Sequence, residues 1–428
     1  MNDPSIKRFM PILIVFLAIG FAGSLYLYYD TKAELSYAKQ ENSDTQLELS
    51  QLIESYSQLS EQVQALTESN TELESRITEL EAELDEPPEV VEETEIILDI
   101  SGTGEVRNVI LLIGDGMGPG QLSAAEIENG EDSLVIMSLP YMSMVTTHSA
   151  SSYVTDSAAS ATALATGHKT NNGIISMTPE GEILITVVEV AEELGMSTGV
   201  VTNTRVTHAT PACFMAHVNS RDLENQIAEQ VLESGVDVVL GGGSSYFTSL
   251  DPSGAGYTVV ETRGELMDVE SGMVLGLFTT GYMSYESARD PDKEPSVAEM
   301  IEKSIELLSG DLDGFFLMVE GGRIDHASHA NDYDNTMSEV FAFDQAVLKA
   351  LEFASGRNDT LVIVTADHET GGLLITGGYG SSQVQYDWIG DDHTGSMVPV
   401  FAYGPMSEMV LGFKDNTDIG GFLISLFE

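Results

Sequence analysis

Aspartate, glutamate and histidine recur in five short segments of this chain, ILLIGDGMG, VTDSAASATA, FFLMVEGGRIDHASH, LVIVTADHET and DDHTG, spread from Asp115 to His393. Most of them follow runs of apolar, β-branched residues. A buried strand that ends in Asp, Glu or His delivers that side chain to the carboxyl edge of a parallel sheet, where open α/β folds gather ligands. Several such strands meeting at one edge make a site for more than one metal ion. Asp115 follows the run 109–113 in a Gly-rich turn, and Glu320 ends another run. Asp325 and His329 are spaced i, i+4 on the helical turn that follows, so they can hold one ion together. Asp367 and His368 follow a third run, and His393 in a Gly-bounded loop offers one more nitrogen. Ser157 opens a helix of small residues just after Asp156. Either residue could serve only as an N-cap. Alternatively, the helix N-terminus and a nearby cation lower the hydroxyl's pKa and make Ser157 a nucleophile without a histidine base.

The elements that must position these groups alternate. Candidate strands span 106–113, 198–202, 236–240, 315–319, 361–365 and 398–403, and helical stretches span 183–194, 223–234, 297–308 and 338–353. Strand alternating with helix predicts a three-layer α/β/α sandwich around a mostly parallel central sheet, occupying residues 104–428. The stretch 250–295 fits this pattern poorly and reads as an insertion near the rim of the site.

Ahead of this domain the chain has a different character. Residues 10–29 (MPILIVFLAIGFAGSLYLYY) carry no charge over about 20 residues, enough to cross a bilayer as a helix. Lys7 and Arg8 precede the run and Asp30 follows it. The positive-inside bias therefore keeps residues 1–9 in the cytoplasm and exports the remainder. We expect a retained single-pass anchor in the cell membrane, with the catalytic domain outside the cytoplasm, rather than a cleaved signal peptide. Leu49, Leu52, Tyr56, Leu59, Val63, Leu66, Asn70, Leu73, Ile77, Leu80 and Leu84 then step by 3 and 4, the period of a coiled coil. With Leu at d and Asn70 at a, residues 34–84 read as the stalk of a parallel homodimer rather than a lone amphipathic helix. The stalk would run about 50 residues, roughly 75 Å. Pro87 and Pro88 end it, and the acidic stretch 85–103 reads as an extended linker.

Composition narrows the function. The chain has 428 residues, 42% of them hydrophobic, enough for a large core. Its 69 Asp plus Glu against 17 Lys plus Arg give a net charge of -52, which repels nucleic acid and excludes it as a partner. The same excess suits a salt-adapted surface. Cys213 is the only cysteine, so no intrachain disulfide forms.

Taken together, the blocks VRNVILLIGDGMG, TDSAASATALATG, HATPACFMAHVNSR, VEGGRIDHASH, TADHETGG and HTGS resemble the alkaline phosphatase family, in the family's order and across nearly all of residues 104–428. The resemblance implies hydrolysis of small phosphomonoesters through a phosphoserine on Ser157, with two zinc ions and one magnesium ion per subunit. It implies Asp325, His329 and His393 as ligands of one zinc and Asp115, Asp367 and His368 as ligands of the other. Asp115, Thr210 and Glu320 would hold magnesium, and Arg221 would clamp the phosphate bidentately. His208 and His326 stand where enteric bacterial members carry Asp and Lys, which leaves the third metal and the pH optimum open. The run from His368 to His393 is short for the family, so the usual dimer contact is reduced and the stalk could take its place. A two-zinc phosphodiesterase of the same superfamily would share both zinc sites, but Arg221, Thr210 and Glu320 favour monoesters. A sulfatase is not supported, because Cys213 lacks the C/S-x-P-x-R context. An inert surface spacer with structural metals is the reading from another class.

Overall fold

A computed structural model describes Gly20 and residues 104–130, 133–379 and 384–427. The chain divides into two units, Met1–Thr94 and Glu95–Glu428, and the described residues belong to the second, Gly20 aside. The expected membrane helix, apart from Gly20, and the expected stalk and linker lie outside the described residues. Among the described residues, no helix is long and apolar enough to cross a membrane.

The strands, in chain order, are β1 (Asn108–Ile113), β2 (Tyr141–Val145), β3 (Ser197–Arg205), β4 (Val238–Gly242), β5 (Thr258–Val260), β6 (Val274–Leu277), β7 (Phe315–Glu320), β8 (Thr360–Thr365), β9 (Glu369–Thr370), β10 (Leu373–Gly377), β11 (Gln385–Trp388), β12 (His393–Thr394) and β13 (Val398–Tyr403). Nine of them form one sheet in the order β2-β13-β8-β1-β7-β3-β4-β6-β5. The pairs from β8 through β1, β7, β3, β4 and β6 to β5 are parallel, whereas β13 runs antiparallel to both β8 and β2. Every residue of β1, β7 and β8 is buried, which requires cover on both faces of the sheet and accounts for their continuous apolar sequences. The expected α/β class with a mostly parallel central sheet is thus observed.

Departures from the expected boundaries have local causes. The helix expected over 183–194 begins only at Val187. Thr186 caps it by accepting from Glu189 N while Glu189 accepts from Thr186 N, and Ile183 is bridged to Met177 instead. β3 continues to Arg205, beyond the expected 202, because its terminal Thr202 and Thr204 find a buried carboxylate as hydrogen-bond partner. Such threonines read as loop when the partner is unknown. The stretch 250–295 contributes β5 and β6 to the parallel sheet, so part of it continues the α/β pattern rather than interrupting it.

Small residues set one close contact. The helix Ser157–Thr166 (SAASATALAT) is buried at every position, and the helix Asn416–Ser425 packs against it. A Cβ on Gly420 would lie 2.2 Å from Ala163 O, so only glycine allows the two backbones this approach.

Candidate metal centre and nucleophile

Four adjacent strands, β8, β1, β7 and β3, bring their carboxyl ends to one place. Asp115 lies just past β1, Glu320 ends β7, and Asp367 and His368 lie just past β8; all four are fully buried. Gly116 (φ 73°) turns the chain after Asp115, and its N–H donates to Asp367 Oδ1 (3.1 Å), tying the first loop to the third. The helix Arg323–His329 follows β7 and presents Asp325 and His329. The two-residue strand β12 pairs with β9, His393 opposite Thr370, and the His393 ring stacks on His368 at 3.6 Å.

The hydrogen bonds define which ring nitrogens carry protons. His329 Nδ1 faces Asp391 O (2.6 Å) and His393 Nδ1 faces Thr155 O (2.8 Å). A carbonyl only accepts, so both Nδ1 atoms donate and both neutral rings carry their lone pair on Nε2. Those two Nε2 atoms lie 3.0 Å apart, and Asp325 Oδ1 is 3.3 Å from one and 3.6 Å from the other. Three electron-rich atoms thus converge with no proton between them. His368 repeats the pattern. Thr370 spends its single hydroxyl proton on Asp325 Oδ1 (2.6 Å), so His368 Nδ1 must donate to Thr370 Oγ1 (3.2 Å). The lone pair of His368 Nε2 then faces Asp367 Oδ2 (3.2 Å), Asp115 Oδ1 (3.4 Å) and Ser157 Oγ (3.2 Å).

Asp115 Oδ1, Asp367 Oδ2 and Glu320 Oε1 are buried without hydrogen-bond partners, a costly arrangement unless a cation completes it. Burial, then the charges of Asp367, Asp325 and Glu320, pushes the Asp115 carboxyl well above its usual range. Burial, followed by Asp325, pushes Asp367 up to about 8. Burial first, then His393 and His329, holds His368 well below the usual imidazole range, which keeps it a neutral ligand. Donor atoms close enough to share an ion group as Asp325, His368 and His393; His329, Asp392 and His393; Asp115, Asp367 and His368; and Asp115, His208 and Glu320. This donor set of imidazoles and carboxylates suits zinc, and its carboxylate- and hydroxyl-rich end suits magnesium. Glu320 Oε2 accepts from Thr202 and Thr204, and Thr210 Oγ1 donates to Asp115 Oδ2 (3.5 Å).

Ser157 stands at the first position of its helix, 1% exposed, with Asp156 as N-cap accepting from Ala159 N (3.0 Å). Asp156 Oδ2 also takes Arg221 Nη1 (3.0 Å) and Gly173 N (3.0 Å). Arg221 Nη2 donates to His208 Nε2 (3.1 Å), and the His208 and His326 rings lie 5.5 Å apart. Burial first, then Arg221, keeps His208 far below its usual range, while burial lowers His326 to about 4. All twelve residues expected from the sequence (Asp115, Ser157, His208, Thr210, Arg221, Glu320, Asp325, His326, His329, Asp367, His368 and His393) therefore meet in one connected site. Sequence reasoning missed Thr370, Asp392 and the part of Asp156 beyond capping. The block DDHTG placed Asp392 beside His393, and that adjacency was the available signal.

A mostly parallel α/β sheet carrying such a cluster beside a helix-initial serine defines a metal-binding hydrolase. The alkaline phosphatase family matches residues 106–384. Alkaline phosphatase 4 of Bacillus subtilis (strain 168) is 34% identical over 412 residues, covering 76% of this chain and 89% of that one. Alkaline phosphatase of Escherichia coli (strain K12) is 32% identical over 415 residues, covering 77% and 87%. Among solved structures, a cold-active alkaline phosphatase from the psychrophile Shewanella sp. superposes with TM-score 0.70 at 33% identity, covering 75% of this chain and all of that one. Alkaline phosphatase from the Antarctic bacterium TAB5 superposes equally well, TM-score 0.70 at 33% identity over 76% and 98%, and a mutant of it holds magnesium in its M3 site. The chain belongs to the alkaline phosphatase family and is a phosphoric monoester hydrolase.

Proposed function

We propose that the enzyme hydrolyses phosphate monoesters through a phosphoserine on Ser157, on the outer side of the cell membrane. The observation that carries this reading is the convergence of unprotonated donors, His329 Nε2 against His393 Nε2 and His368 Nε2 against two carboxylates, around the hydroxyl of Ser157. Asp325, His329 and His393 would hold one zinc, Asp115, Asp367 and His368 a second, and Asp115, Thr210 and Glu320 a magnesium. Bound there, the ions would supply Lewis acidity, lowering the pKa of the attacking hydroxyl and of the hydrolytic water and neutralising the leaving oxygen. Ser157 Oγ bonds to phosphorus as the ester oxygen departs, and water then displaces Oγ from phosphorus to release phosphate. The start of the helix Ser157–Thr166 favours negative charge on Oγ. Arg221 gives one N–H to Asp156 and one to His208, which leaves three of its five for the phosphate oxygens. Asp156 fixes that fork while capping the helix that carries Ser157.

The apolar run 10–29 and the heptads of 34–84 support a retained anchor and a parallel dimer. The excess of carboxylates, 69 Asp plus Glu against 17 Lys plus Arg, supports a setting rich in salt. The deciding experiment combines metal analysis with rates on p-nitrophenyl phosphate and its bis ester, and with trapping of phosphoserine at low pH. Preference for the bis ester, or full zinc with no turnover, would overturn the proposal. Activity on intact cells towards a membrane-impermeant phosphomonoester tests the location.

A further inference from the structure

Three arginines surround the two site histidines, and among the described residues two of them are ion-paired to a carboxylate. Arg205 makes a bidentate pair with Glu224 (2.7 Å for both Nε and Nη2), and Arg221 pairs with Asp156. Arg323, two residues before Asp325, donates from Nη1 to His326 Nδ1 (2.9 Å). Its Nε is buried with no hydrogen-bond partner, and no carboxylate oxygen among the described residues lies within 4.0 Å of it. Tyr285 covers the guanidinium at 3.8 Å and Tyr282 approaches it at 5.4 Å. Glu339 is close enough to feel this charge, but its oxygens accept from Asn203 Nδ2 (2.9 Å) and Glu286 N (2.6 Å) instead. A guanidinium without an ion pair, and with an unpartnered Nε, is out of keeping with a chain of net charge -52.

The position of Arg323 indicates what completes it. His326, which it touches, meets His208 edge-on at 5.5 Å, and His208 accepts from Arg221. Arg221 and Arg323 thus stand at opposite ends of the histidine pair. Tyr282, whose ring packs on His326 at 4.3 Å, is 37% exposed, so this side of the site opens to solvent. An anion bound there would regain hydrogen bonds for a guanidinium already held in place by an aromatic wall. We propose that Arg323, walled by Tyr282 and Tyr285, is a subsite for a second negative group on the leaving moiety, a carboxylate or a further phosphate. The favoured substrates are phosphomonoesters whose leaving group is itself anionic. This inference rests on the phosphomonoesterase activity and adds a substrate class to it.

The test compares kcat/KM on phenyl phosphate, para-carboxyphenyl phosphate and hydroquinone bisphosphate for wild type, Arg323→Ala and Arg323→Lys. The ratio of either anionic substrate to phenyl phosphate falls about tenfold or more in Arg323→Ala and by less in Arg323→Lys, which keeps the charge but not the fork. Loss for one anionic substrate alone identifies whether the subsite takes carboxylate or phosphate. Raising salt erodes the wild-type ratio and leaves that of Arg323→Ala unchanged. Equal losses on all three substrates, or an unaltered ratio, would overturn the subsite while leaving the monoesterase reading intact. A wild type inactive on all three would instead remove that reading, and the subsite with it.

Discussion

His329 Nε2 and His393 Nε2 face each other at 3.0 Å with their protons committed behind them, to Asp391 O and Thr155 O. Neither nitrogen can donate to the other without giving up a carbonyl. A cation shared with Asp325 would resolve the conflict, and its removal would leave lone-pair repulsion inside a half-buried site. Chelation is therefore expected to lower the thermal midpoint by several degrees. Zinc in excess restores it, since a ligand at about a hundred times its Kd contributes roughly 2.7 kcal/mol. Calorimetry of chelated and reloaded protein checks this, and an unmoved midpoint would count against the site.

Replacing Ser157 by Ala removes the hydroxyl that His368 Nε2 contacts. Turnover on p-nitrophenyl phosphate is expected to fall roughly a thousandfold or more, in line with the loss of a nucleophile that acts with its neighbours as a unit. Acid-quenched samples of the variant should carry no phosphoserine, while bound zinc stays near the wild-type content. Normal turnover would contradict the assignment.

Asp156 serves two elements through one side chain, so its loss has two signatures. Oδ1 caps the helix of Ser157, and Oδ2 holds Arg221. Asp156→Ala should cost about 1 kcal/mol of stability through the cap. It should also cost about tenfold to a hundredfold in kcat/KM, by letting the guanidinium swing away from the phosphate. Asp156→Asn keeps a cap acceptor and should recover most of the stability but less of the rate. Unfolding curves beside kinetics separate the two effects.

Away from the site, Glu192 titrates near neutrality. Burial pushes its carboxyl from 4.5 up to about 7, against a hydrogen bond from Thr198 Oγ1 and with help from the charge of Asp237. A raised folded pKa means the folded state binds the proton more tightly than the unfolded one. The stability this supplies is complete below about 4.5 and is lost as pH rises through about 7. Glu192→Gln stays neutral and can still accept from Thr198. It should be more stable than wild type at pH 8 by on the order of 1–2 kcal/mol, after allowance for solvent screening, and little different at pH 5. Thermal melts of both proteins at the two pH values decide it, and parallel pH dependences would refute the linkage.

The place of the carboxylates was legible because strand burial and sheet topology leave few places for an Asp or Glu that ends an apolar run; the rule brings Asp115, Glu320 and Asp367 to one sheet edge, while their roles as ligands came from the family resemblance. His393 did not, since its place beside His368 depends on the two-residue pairing of β12 with β9, which has no periodic pattern to read. Thr370 was silent for another reason. A threonine becomes a hub only when Asp325 and His368 arrive on either side of it. The lack of an ion pair at Arg323 is visible only once Glu339 is seen to be engaged by Asn203 and Glu286. The strands β5 and β6 were missed because they are short and lie among turn residues, so that pairing with β4 rather than local propensity decides them.

The C-terminal helix is tied to the chemistry by a short chain of contacts. Asn416 Nδ2 donates to Ser160 Oγ (2.8 Å), and Ser160 Oγ donates to Asp367 O (2.6 Å), one residue before His368. Gly420 of the same helix meets the backbone of the helix that carries Ser157, where a Cβ would come within 2.2 Å of Ala163 O and 2.5 Å of Gly167 N. No side chain can yield there, so Gly420→Ala forces the helices apart. It should destabilise by about 1–3 kcal/mol, the usual cost of overpacking. Because Ser157 rides on the displaced helix, the rate of phosphoserine formation should fall as well. The neighbouring Gly421→Ala is the control, since a Cβ there meets nothing within 4 Å. That change should leave activity alone and stabilise the helix by about 0.5–1 kcal/mol. Equal effects from the two substitutions would show that the helix tolerates the shift and that Ser157 is positioned by its own loop instead.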